Sequence, residues 1–123
     1  MTRRNPEEAL QGAAATFMRL CVPPPPHGPL WSAVNPIPGK RTAAQGKRAK
    51  VMGLRAGVDD WIMVWRGGYV GIEWKAGRGT TSDAQDAWHL DVDLAGGRWF
   101  VCRSLDDLRE VLRELGVPTR EAA

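Results

Sequence analysis

The sequence predicts a mixed α/β domain built on a small central sheet. Three observations carry that reading. Trp61–Trp65 and Tyr69–Trp74 are runs rich in aromatic and β-branched residues, divided by Gly67-Gly68, which is the pattern of a β-hairpin. Arg98–Arg103 forms a further strand, with Trp99 and Val101 on one face. Around these runs stand four N-cap residues, Asn5, Thr42, Ser82 and Ser104, each opening a stretch that reads as helix.

The chain of 123 residues makes one domain, residues 1–123, with a core of about 5–116 and a short frayed tail. A domain of this size buries about two-thirds of its unfolded surface without help from disulfides. No apolar run reaches the ~18 residues of a membrane span, and no signal-peptide pattern opens the chain. A cytoplasmic protein is expected. Cys21 and Cys102, both in apolar company, read as buried free thiols in a reducing compartment.

The net charge of +3 hides an asymmetry. No acidic residue falls between Glu8 and Asp59, yet Arg19, Lys40, Arg41, Lys47, Arg48, Lys50 and Arg55 all do. From Asp59 onward twelve acids face eight bases. A basic segment ahead of an acidic cluster suits a polyanion held by the first and a metal held by the second. A solvated basic face with no partner explains such a run at least as readily.

Taken in order, Asn5-Pro6-Glu7-Glu8 is a helix start, with Asn as N-cap and Pro in the first turn. The apolar face of this helix is Leu10, Ala13, Ala14, Phe17, Leu20 and Cys21. Glu7 and Gln11 lie at its edge and Glu8 points away, so Glu7 is the glutamate able to reach a buried site; the helix dipole alone also favours an acid there. The Pro23–Pro26 run is a stiff extended connection, with His27 as a loop histidine. Leu30–Val34 is a short strand ended by Asn35-Pro36. Thr42, with Gln45 three residues on, caps a second helix that runs to about Arg55 and stops at Gly57. It carries Lys47, Arg48 and Lys50, with Lys40 and Arg41 just before it. No aromatic residues interleave, so phosphate contacts suit it better than base stacking.

After the hairpin, Ala76–Thr81 is a flexible loop holding Arg78. Ser82 and Gln85 match a capping box. Trp88–Leu94 alternates like a strand, but the cap before it and Gly96-Gly97 after it favour a helix over 82–95. Asp91 then falls in the apolar arc, with no local reason. His89 and Asp93, one turn apart, have the spacing of a metal pair, though such pairs are more often surface residues. Ser104 caps a last helix, Leu105–Leu115, stopped by Gly116 and Pro118.

Within the hairpin, Glu73 and Lys75 share one strand face while Ile72 and Trp74 fill the other. If Gly67-Gly68 is the two-residue turn, Asp60 faces Lys75 and Glu73 lies diagonally from Asp60, roughly 7–8 Å away. Two carboxylates and a lysine then converge on one face, an arrangement able to hold a divalent cation. A cross-strand Asp60–Lys75 ion pair with Glu73 solvated is the structural alternative. A bare E-x-K occurs by chance in roughly a third of chains this long, so the signal lies in its placement within a strand opposite an aspartate.

The whole string resembles the virus-type replication-repair nuclease (VRR-NUC) family, a branch of the PD-(D/E)XK nuclease superfamily. The resemblance runs from about Glu7 to Gly116 and rests on several stretches in order. Glu7, Leu10 and Gln11 match E-x-x-L-Q; Asn35, Lys40 and Arg41 match an asparagine followed by basic residues. Gly57-Val58-Asp59-Asp60 matches G-V-P-D, with Asp59 standing where the family has proline, and Glu73-Trp74-Lys75 matches E-x-K. Ser82 and Gln85 match a serine-capped S-x-x-Q helix, and a glycine precedes the last strand.

The resemblance implies a PD-(D/E)XK restriction-endonuclease-like αβββαβ core, here with an inserted basic helix. It implies a metal-dependent endonuclease acting on branched or structured DNA such as four-way junctions or flaps. Asp60 and Glu73 would bind Mg²⁺ or Mn²⁺, with the Trp74 carbonyl and a phosphate oxygen completing the shell and Glu7 as an accessory acid. Lys75 would position water or neutralise the phosphate, as an electrostatic group rather than a free base. Gln85 would orient the site or serve the capping box. Asn35, Lys40, Arg41, Lys47, Arg48, Lys50 and Arg78 would contact the nucleic-acid backbone. One-domain members of the family are found chiefly in phages and bacteria, and the resemblance implies a homodimer. The competing expectation is a non-catalytic nucleic-acid-binding accessory domain with a degenerate nuclease fold.

Overall fold

The computed structural model describes residues 5–34 and 42–121; Asn35, Lys40 and Arg41 lie outside the described residues. The Asn5 side chain accepts from the Glu7 amide at 2.9 Å and Pro6 sits in the first turn, so α1 (Pro6–Cys21) begins where the sequence predicts. Its buried face is rotated from the expected one. Ala14, Phe17 and Met18 are buried, while Ala13 is exposed and Leu20 is 74% exposed. Cys21, at the end of the helix, is only half-buried. The helix packs against a neighbour that accepts Met18, and a thioether fills such a gap readily.

The extended connection leads into β1 (Leu30–Ala33), one residue shorter than expected. The Thr42 capping box opens α2 (Ala43–Val51), which ends before Arg55 because Gly53, at φ +102°, turns the chain out of the helix. None of the residues of α2 is buried. Its nine residues are held by their cap rather than by packing, and Lys47, Arg48 and Lys50 all face solvent.

The hairpin forms from β2 (Trp61–Trp65) and β3 (Gly68–Trp74), with a different turn from the expected one. Trp65 pairs with Gly68, so Arg66 and Gly67 are the turn residues, at φ +50° and +78°. Both positive angles suit the tight turn whose twist matches a hairpin. The register is thereby moved by two residues: Trp61 faces Ile72 and Met63 faces Val70. Continued by one residue, Asp60 stands opposite Glu73 rather than Lys75. An even displacement keeps every side chain on its predicted face.

Ser82 caps α3 (Asp83–Leu94), which crosses over to β4 (Arg98–Cys102), and Ser104 caps α4 (Leu105–Leu115), closed by Gly116 at φ +74°. Over the described residues the chain is thus a mixed α/β domain with four helices and a four-stranded sheet in the order β1-β2-β3-β4. The first three strands are antiparallel, and β3 and β4 run parallel on either side of the α3 crossover. The element order is the one predicted. No helix among the described residues is long and apolar enough to cross a membrane.

The core lies on the α1–α4 side of the sheet. Trp61, Met63, Val70, Ile72, Trp74 and Cys102 point into it and meet Met18, Leu108 and Leu112. Trp61 packs edge-on to Trp74 at 5.1 Å and lies against Trp31 at 4.8 Å, geometries that aromatic quadrupoles favour. Each such side chain contributes about 1.5–3 kcal/mol by leaving water. The opposite face of β3 carries Tyr69, Gly71 and Glu73, and α3 covers it.

Candidate active site

The faces of β2 and β3 are set by alternation, so the wall of tryptophans on one side forces Asp60 and Glu73 onto the other. Glu73 is 2% exposed, which no free carboxylate tolerates cheaply. Two groups answer it: Gln85 Nε2 donates to Glu73 Oε1 at 2.6 Å and the Lys75 ammonium lies 3.8 Å from the same oxygen, while the neighbouring Asp60 carboxylate opposes its charge. Glu73 Oε2 is buried with no donor among the described residues. The Asp60–Lys75 ion pair with a solvated Glu73 is therefore not formed.

Asp60 is itself fixed: its Oδ2 accepts from the Trp74 amide at 2.8 Å. Burial raises the Asp60 pKa above the usual carboxylate range, while the Trp74 amide and Lys75 pull the other way and the charge of Glu7 adds to the rise. Glu73 is pushed up to about 9, first by burial and then by the negative charge of Asp60. Burial and the mutual repulsion of the two carboxylates therefore favour a proton on the pair.

Gln85 makes two contacts at once. Its Oε1 accepts from the Ser82 amide at 2.9 Å, completing the cap, while its Nε2 reaches Glu73. Glu7 is half-buried near Gly79, where its Oε1 lies 3.4 Å from the position a Cβ would take. Among the described residues no three His, Cys, Asp or Glu side chains converge as a ready cation cage. The donor set is the Asp60–Glu73 pair, and Glu7 contributes charge at longer range. A groove of about 1020 Å³ between α1, β1 and the segment entering β2 is lined by Glu7, Gln11, Arg19, Trp31, Arg55 and Asp60 among others, so Asp60 opens to solvent through it. Arg78 is exposed in the loop after β3, and Arg103 holds that loop through the carbonyls of Gly77 and Gly79 at 3.1 and 2.6 Å.

Other predicted roles are replaced by different ones. His89 neither pairs with Asp93 nor faces solvent: it is 3% exposed, stacked on Trp99 at 4.0 Å, and bonded through Nε2 to Asp59 Oδ1 at 2.5 Å. Asp93 instead accepts from Trp99 Nε1 at 2.9 Å. Asp91 is outside the buried arc and pairs with Arg55 at 2.5 Å, an interaction that only the fold could reveal.

The residue that sequence reasoning missed is Asp59. It is fully buried, and besides His89 its carboxylate accepts from Tyr69 Oη at 2.7 Å and Trp88 Nε1 at 3.1 Å. Burial and the adjacent Asp59 raise the Tyr69 pKa well above its ordinary value, so Tyr69 remains a donor. Gly71 in β3 was the available signal: a Cβ there would lie 1.8 Å from Asp59 Oδ2.

Compared with protein-family models, curated protein sequences and solved structures, the chain matches none.

Proposed function

We propose that this protein is a divalent-cation-dependent endonuclease with a PD-(D/E)XK-type αβββαβ core, in which α2 is an inserted basic helix. The single observation that carries the reading is the opposed Asp60–Glu73 pair: Glu73 has a buried oxygen without a donor among the described residues and a pKa pushed up to about 9. That is the donor set and the charge deficit a hard cation would relieve. Asp60 and Glu73 would hold Mg²⁺ or Mn²⁺, with the Trp74 carbonyl as the further ligand implied by the resemblance. When bound, such an ion offsets charge on a phosphodiester and lowers the pKa of its water.

The chain's own groups do the rest. Gln85 keeps Glu73 in one orientation, since its amide is itself tethered to the α3 cap. The Trp74 amide does the same for Asp60. Burial and the charge of Asp60 favour a proton on Glu73, and a cation held by the pair would take over that neutralising role. Lys75, 12% exposed beside Glu73, brings a cationic group to where a phosphate oxygen would lie. Lys47, Arg48 and Lys50 on the solvent face of α2, and Arg78 on its loop, supply backbone contacts at a distance from the chemistry.

The test is cleavage of linear, flapped and four-way DNA with Mg²⁺ or Mn²⁺, comparing wild type with Asp60→Ala and Lys75→Ala after circular dichroism verifies their fold. Cleavage lost in both variants is expected. Undiminished cleavage by either one overturns the assignment, and saturable DNA binding without cleavage of any substrate moves the reading to a non-catalytic accessory domain.

A further inference from the structure

Asp59 stands next to a proposed cation ligand, yet its carboxylate is engaged by side chains of β3 and α3. Its carboxylate is fully buried and takes three side-chain partners, Tyr69 from β3 and Trp88 and His89 from α3. The surroundings are shaped to admit it. Gly71 leaves the space its Oδ2 occupies, and Gly57, at φ +84°, lets the chain pass so close to α3 that a Cβ would lie 2.2 Å from the Ala84 carbonyl oxygen. A buried carboxylate with this many directed donors is among the most firmly located groups a small domain can have.

The donors share an origin with the other half of the site. Gln85, Trp88 and His89 lie on one stripe of α3, at spacings of three and four residues. Gln85 grips Glu73; Trp88 and His89 grip Asp59, whose neighbour is Asp60. One rigid helix therefore fixes both carboxylates of the pair, one directly and one through the adjoining residue.

We infer that Asp59 is a positioning residue for cation binding: clamped by Tyr69, Trp88 and His89, it fixes the separation of Asp60 from Glu73 and so sets the affinity of the site. This rests on the reading of Asp60 and Glu73 as cation ligands.

Mn²⁺ binding to the full chain, measured by calorimetry well below the melting temperature, tests it. Asp60→Ala gives the zero of the assay. Asp59→Ala is expected to raise the Mn²⁺ Kd at least tenfold, and Asp59→Asn, which keeps one acceptor oxygen, by roughly threefold to tenfold. Trp65→Phe removes the bond from Trp65 Nε1 to the Leu115 carbonyl, 2.8 Å, far from the site, and serves as the stability control. It should lower the Tm without moving the Kd. A Kd for Asp59→Ala within twofold of wild type, or one that shifts no more than that of Trp65→Phe, overturns the inference while leaving the cation site standing. Should Asp59→Ala not fold, Tyr69→Phe and His89→Leu each remove one partner, and an unchanged Kd in both is equally decisive against it. Absence of Mn²⁺ binding by wild type overturns this inference and the nuclease reading together.

Discussion

Glu73→Gln separates the two consequences of burying a carboxyl beside Asp60. In the metal-free protein Glu73 is pushed up to about 9, far above the 4.5 of an ordinary glutamate, by burial and then by Asp60. The folded state therefore retains a proton that the unfolded chain releases. The stability this brings is fully present below about pH 4.5 and is lost as pH rises through about 9. The slope is at most about 1.4 kcal/mol per pH unit. From pH 6 to 8 that is at most about 2.7 kcal/mol, and about half of it once water at the mouth of the groove screens the charges. In a domain of this size the remainder corresponds to a fall in Tm of about 3–6 °C.

Glutamine donates to Asp60 at every pH and has no proton to lose. Scanning calorimetry in EDTA at pH 6, 7 and 8 should therefore show wild type melting progressively lower and Glu73→Gln holding constant. The comparison cancels the histidines, which both proteins share. Mn²⁺ at pH 8 should restore wild type and leave the variant where it was. A wild-type Tm that is flat across this range, or a variant that falls in parallel, refutes the shared-proton account.

Three further expectations follow from other parts of the molecule. Gly71→Ala sets a methyl group 1.8 Å from Asp59 Oδ2 and should cost about 1–3 kcal/mol, read from the urea midpoint; an unchanged midpoint would contradict the placement of Asp59. Replacing Lys47, Arg48 and Lys50 together with alanine should leave the Tm within a degree or two, since α2 buries nothing, while the slope of log affinity for duplex DNA against log salt falls by about two to three. Cys102 is fully buried and its thiol is pushed up to about 12, chiefly by burial, so a thiol reagent should modify half-buried Cys21 in the native protein and reach Cys102 only on unfolding.

Local chemistry made most elements legible. Caps and stops are written in adjacent residues, and so α1, α3 and α4 begin and end within a residue of expectation. The hairpin was equally plain, but its turn was not, because Gly67-Gly68 draws the eye while a non-glycine residue, Arg66, takes the positive φ. The choice between registers is made by packing: the observed one offsets Trp61 from Trp74 so that they meet edge-on, with Ile72 directly opposite Trp61. In the candidate site, the site role of Gln85 came only with the family resemblance, whereas Asp60, Glu73 and Lys75 could be gathered from spacing. Asp59 could not, since its partners lie 10 to 30 residues away and are brought to it only by the crossover of α3. The rotation of α1 that buries Met18 in place of Leu20 is likewise decided by the neighbouring helix, not by its own wheel.

The Arg66-Gly67 turn works like the start of a reading frame for everything beyond it. Lengthening or shortening it by an even number of residues slides β3 along β2 and still delivers carboxylates to one side and tryptophans to the other. An odd change is out of frame: unless a bulge absorbs it, Asp60 meets Ile72 or Trp74 where Glu73 had been, and a charged group is driven into the packed interior. Homologous hairpins should therefore tolerate loop growth in steps of two far better than in steps of one, and a library of turn insertions would sort by parity before it sorted by sequence.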